Sequence, residues 1–102
     1  MLALRPNCER CDADLPPDSA SARICSYECT FCASCVDHVL GNVCPNCGGG
    51  FVPRPIRPRQ AWRAGSGLSH DPPDPHRRTM QYHAGEVAAL TARLRDVPPS
   101  ER

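Results

Sequence analysis

Eight cysteines are the residues of this chain best equipped for chemistry: Cys8, Cys11, Cys25, Cys29, Cys32, Cys35, Cys44 and Cys47. Six of them fall within the 23 positions from Cys25 to Cys47. Cys8/Cys11, Cys32/Cys35 and Cys44/Cys47 are each C-x2-C, the spacing of a knuckle that turns two thiolates toward one ion. Eight thiolates fill two tetrahedral sites, so the sequence predicts two Zn²⁺ held by all eight cysteines. Four thiolates close a zinc ion's coordination sphere and leave no position for water, which makes both sites structural rather than catalytic.

Disulfides are the rival use of eight cysteines. Against them stand the knuckle spacing and the N-terminal stretch MLALRPNCER, which has neither an apolar h-region nor a small-residue cleavage site. A reducing, cytoplasmic setting is therefore expected, and no stretch is long enough to span a membrane. His38 could replace a cysteine, but eight cysteines already suffice and it reads as a solvent-facing helix residue. His70, His76 and His83 stand at no ligand spacing. The run Cys29-x2-Cys32-x2-Cys35 followed by Cys44-Pro45 is similar to an iron–sulfur motif, but eight residues separate Cys35 from Cys44 where that motif has three.

The elements that must position these ligands are small. In 102 residues there are 12 prolines and 7 glycines but only two Phe, two Tyr and one Trp, too little apolar material for a self-sufficient core. Structural zinc supplies roughly 10 to 16 kcal/mol in peptide systems at neutral pH, so the module is expected to fold only when loaded. Leu2 and Leu4 alternate as an edge strand, and Cys8-Glu9-Arg10-Cys11 is a knuckle whose charged interior should face water. Residues 12–22 form a loop that Pro16-Pro17 keeps out of helix, with Leu15 as its core anchor. Arg23–Cys25 and Cys29–Phe31 read as a hairpin around Ser26, Tyr27 and Glu28. Val36, Val39 and Leu40 recur at helical spacing, and Gly41 is placed to end that helix in the left-handed conformation. Leu15, Ile24, Phe31, Val36, Val39 and Leu40 are the expected core.

Beyond residue 52 the composition changes. Pro53, Pro55 and Pro58 alternate with Arg54, Arg57, Arg59 and Arg63, the pattern of an extended basic arm. A flexible linker follows. Val87, Leu90 and Leu94 form a narrow stripe on a C-terminal helix, which Gly85 weakens by ~1 kcal/mol. The expected fold is a small metal-stabilised α+β domain with one hairpin and one short helix, followed by a largely disordered tail. Its parts are a two-zinc module over 1–52, an arm and linker over 53–78, a helix over 79–96 and a disordered end over 97–102.

All 12 basic residues are arginine, which with the abundant Ala, Pro and Gly points to a GC-rich bacterial genome. Residues 1–50 carry three arginines against six carboxylates, while the remainder carries nine against five. Eight thiolates and two Zn²⁺ would bring the module from −3 to about −7. An acidic module is poorly matched to a phosphate backbone, which argues against nucleic acid as its target. The arm could still contact one through Arg54, Arg57, Arg59 and Arg63, with Trp62 stacking on a base.

The cysteine order resembles RING and RING-like domains. Cys29-Thr30-Phe31-Cys32-Ala33-Ser34-Cys35-Val36 matches their ligand, Phe and C-x2-C run, and Cys44-Pro45-Asn46-Cys47 matches their closing C-P-x-C. Residues 1 to about 57 more closely resemble a bacterial family of small cysteine-rich proteins catalogued as a domain of unknown function. Some of its members are labelled urease-associated, although nothing in these residues supports urease chemistry. The RING resemblance implies a cross-brace: Cys8, Cys11, Cys32 and Cys35 on one ion, and Cys25, Cys29, Cys44 and Cys47 on the other. Spacing alone also allows sequential pairing, with Cys8, Cys11, Cys25 and Cys29 together and Cys32, Cys35, Cys44 and Cys47 together. Ubiquitin-ligase RINGs place apolar and basic residues where this chain has Glu9, Arg10 and Gly48, so the resemblance implies the scaffold and not the enzyme. The expected function is a non-enzymatic zinc module that binds a protein. The alternatives are a nucleic-acid-associated protein, and an accessory to a metalloenzyme or an iron–sulfur protein.

Overall fold

A computed structural model describes all 102 residues. Strands β1 (Ala22–Ile24) and β2 (Thr30–Cys32) form the expected hairpin, moved one residue from the sequence reading, with Arg23 opposite Phe31. The turn between them is closed by the Glu28 N–H donating to the Cys25 carbonyl at 3.0 Å, with Glu28 in the left-handed region at φ 65°. A third strand, β3 (Val52–Pro53), pairs antiparallel with β1 and gives the order β2-β1-β3. Proline is tolerated there because β3 lies at the sheet edge. Only the start of the arm joins the sheet, through β3 and the Arg54 N–H, which donates to the Ala22 carbonyl at 3.0 Å.

Helix α1 (Ala33–Cys35) leaves β2 directly and widens into a π turn over Val36–Leu40. The wider turn keeps Val36 and Leu40 buried and rotates Val39 outward to 39% exposure, so Val39 is not the core residue that α-helical spacing indicated. Gly41 ends the turn in the left-handed region at φ 57°, as expected. The core gathers Leu15, Ala22, Phe31, Val36 and Leu40 around the cysteines, and Phe51 meets Phe31 edge-on at 5.5 Å between ring centroids.

The free arm and disordered tail expected beyond residue 52 are not what the structure shows. The buried Arg54 guanidinium donates to the carbonyls of Arg5, Leu15 and Pro16 at 2.8, 3.3 and 3.0 Å. Arg57 donates to the Leu2 and Asp71 carbonyls. Residues 74–80 run beside residues 4–9, and helix α2 (Ala84–Leu94) packs on the π turn, burying Val87 and Thr91. The α2 stripe is the expected one, with Leu90 and Leu94 half-buried and Thr91 added by a hydroxyl that donates to the Leu40 carbonyl at 3.2 Å. His83 caps the helix by accepting from the Glu86 N–H. The tail is ordered because these loop carbonyls and the π turn need partners, and the tail supplies them.

Candidate metal centres

Backbone pairing positions the first knuckle. The Cys8 N–H donates to the Ala13 carbonyl and the Leu15 N–H to the Pro6 carbonyl, so Cys8–Cys11 sits at the tip of a narrow loop. Cys32 ends β2 and caps α1, its sulfur accepting from the Cys35 N–H at 3.4 Å. These elements converge. The sulfurs of Cys8, Cys11, Cys32 and Cys35 all lie within 4.8 Å of one another. Cys8–Cys35 and Cys11–Cys32 are 3.8 and 3.7 Å apart, far beyond a covalent S–S bond of about 2.05 Å. A tetrahedron with metal–sulfur bonds of about 2.3 Å has edges of about 3.8 Å, so this donor set fits a metal ion of zinc's size. The Arg10 guanidinium donates to the Cys35 sulfur at 3.5 Å.

The second cluster brings together Cys25, Cys44 and Cys47, again within 4.8 Å. Tight turns hold it: the Gly48 N–H donates to the Cys44 carbonyl at 2.7 Å, and the Cys44 N–H to the Gly49 carbonyl at 2.8 Å. The Tyr27 and Gly49 N–H groups point at the sulfurs of Cys25 and Cys47, each at 3.4 Å. These backbone donors fix the orientation of both sulfurs. Cys29 is not part of this group of three. It lies next to it, beside a cleft of about 480 Å³ that it lines with Tyr27, Asn46 and Cys47. Sequential pairing, which would put Cys8 and Cys11 with Cys25 and Cys29, is not the arrangement found.

Burial sets the electrostatics of the uncharged thiols. It pushes Cys35 up to about 12 against the opposing pull of Arg10, and it also raises Cys44 and Cys29. An apolar enclosure of this kind resists thiolate charge until a divalent cation neutralises it.

Glu9 is the residue that sequence reasoning misplaced. Expected to face water, it is buried, accepting from the Thr30 N–H at 2.9 Å and from the Asn46 amide at 3.1 Å, with Arg5 at 3.6 Å. It thereby ties the first knuckle to the hairpin and to the last knuckle. Arg10, in the same knuckle, is exposed as expected. Of the arm's four arginines, Arg54 and Arg57 are held on carbonyls, while Arg59 and Arg63 are exposed beside the exposed Trp62. His38 is exposed and belongs to neither cluster.

These features define a small cysteine-rich α+β module with two clusters able to hold metal. Residues 1–57 match the family described as protein of unknown function (DUF1272), and the chain belongs to that family. An uncharacterized protein of Rhizobium meliloti (strain 1021) is 67% identical over 58 residues, covering 57% of this chain and 69% of the relative. No solved structure matches the chain. No helix is long and apolar enough to cross a membrane.

Proposed function

We propose that this chain is a non-enzymatic, two-zinc protein-interaction module that works as an adaptor in the bacterial cytoplasm. The observation that carries the metal reading is the interleaved grouping of sulfurs, Cys8 and Cys11 with Cys32 and Cys35, at tetrahedral-edge distances. In this reading the pairing is a RING-like cross-brace, and Cys29 completes the second site with Cys25, Cys44 and Cys47. Thiolate sites closed in this way hold structure and leave no coordination position for a substrate, which supports a binding role.

Metal analysis of protein purified without added metal tests this. Two zinc ions per chain are expected. A ratio near one, or iron as the dominant metal, overturns the assignment.

A further inference from the structure

Asn7 is 1% exposed, yet its side chain does not serve the core of its own module. Its amide nitrogen donates to the Arg78 carbonyl at 2.8 Å and its amide oxygen accepts from the Arg78 N–H at 3.0 Å. That two-point pairing reads the main chain of a passing segment and not its side chain. The same Asn7 amide nitrogen is aimed by the Cys8 carbonyl and the Asp12 carboxylate. On either side, the Leu4 carbonyl accepts from the Asp74 N–H and the Glu9 carbonyl from the Met80 N–H, both at 3.0 Å.

Side-chain selection comes one residue before the clamped position. Arg77 is held between Asp12 and Asp14, at 2.9 and 2.7 Å. Farther along, Val87 and Thr91 of α2 settle on the π turn, and Leu94 lies over Gly48, where an added Cβ would come within 3.1 Å of it. Every receiving group belongs to residues 1–57, the segment that matches the family, and every seated group lies beyond it.

We propose that residues 1–57 form a peptide-binding groove and that residues 74–94 of this chain are its ligand, bound in cis. This rests on the interaction-module reading and names the chemistry of the partner: an extended segment with an arginine before the clamped residue, leading into a short amphipathic helix. Main-chain pairing supplies affinity and the Asp12/Asp14 pair on the surface selects for arginine, the logic of strand-type peptide recognition. A tethered ligand has an effective concentration of about a millimolar. A free copy of the same segment therefore cannot bind the intact chain more tightly than about that value. A true partner displaces the tail.

The test uses the full-length chain and a fluorescent peptide of residues 72–97. Arg77→Glu combined with Val87→Asp alters only the tail and should release it. The release variant is expected to bind the peptide at least tenfold more tightly than the wild type, as read by anisotropy. Adding Asn7→Ala should abolish that gain, and metal content is measured on every sample. Equal peptide binding by wild type and release variant overturns the proposal. So does metal loss in the release variant, which would make the tail part of the fold. The metal ratio of the wild type separately decides the zinc reading.

Discussion

The two sulfur clusters use the same residue type and similar knuckles, but one is complete and the other stands one sulfur short. In the first, Cys32 and Cys35 are set by the junction of β2 and α1, and Cys8 and Cys11 by a backbone-paired loop. In the second, Cys25 and Cys29 flank a turn with Glu28 left-handed, and Cys29 lies outside the group. The difference follows the spacing: Cys25 and Cys29 are the pair separated by three residues instead of two. Seven sulfurs are already grouped, by strand and helix ends or by C-x2-C turns, whereas Cys29, at the end of the longer turn, is left for the ion to draw in.

The largest expected effect breaks this comparison directly. Cys35→Ala removes a ligand from the preorganised cluster. Structural zinc supplies on the order of 10 kcal/mol, as much as the whole stability of a small domain, so this variant should lose one metal and its cooperative fold. Cys29→Ala should keep the fold and both metals. Its second metal should bind more weakly, because it keeps only three of its four proposed ligands, whereas Cys35→Ala breaks the cluster whose four sulfurs are already grouped. Metal stoichiometry and competition with a chromophoric chelator measure both. If Cys29→Ala unfolds as Cys35→Ala does, the two clusters are equivalent.

A smaller change sharpens the contrast. Glu9 serves the second cluster through Asn46 of the last knuckle, whose amide it holds at 3.1 Å. Glu9→Ala leaves the Thr30 N–H and the Asn46 amide without their acceptor, at a cost of about 1–3 kcal/mol. Thermal denaturation should show that loss. Chelator competition should show weaker metal binding at the second cluster and little change at the first. Equal weakening of both would mean that Glu9 acts on the fold as a whole.

Local pattern made the C-x2-C knuckles, the hairpin, the Gly41 terminus and the α2 stripe legible in the sequence, because each depends on neighbours a few residues away. Glu9 was not legible. Charged residues inside a knuckle ordinarily face water, and the partners that bury this one lie 21 and 37 residues along the chain. The arm shows the same division: its extended conformation follows from proline, but the carbonyls that bury Arg54 lie 38 to 49 residues earlier. Val39 failed for a different reason. Helical spacing identifies a face only for a regular α-helix, and the π turn changes which residues share one. The docking of residues 74–94 depends on Asn7 and the π turn, and no periodicity in the tail encodes either.

The smallest expected effect lies in the segment that joins the clusters and should favour neither. Gly41, between Cys35 and Cys44, has φ 57°, and a Cβ there would stand 3.2 Å from the Thr91 methyl and 3.5 Å from the Arg95 Cβ. Gly41→Ala combines left-handed strain of roughly 1 kcal/mol with a contact that α2 can relieve only by moving outward. The melting temperature should fall by about 4–8 °C for each kcal/mol lost, and amides of α2 should exchange faster. Both metals should remain bound with unchanged affinity, because Gly41 touches the tail helix and no sulfur. If either metal is weakened, the seating of α2 reaches the clusters, and the contrast between them depends on the tail as well as on their own turns.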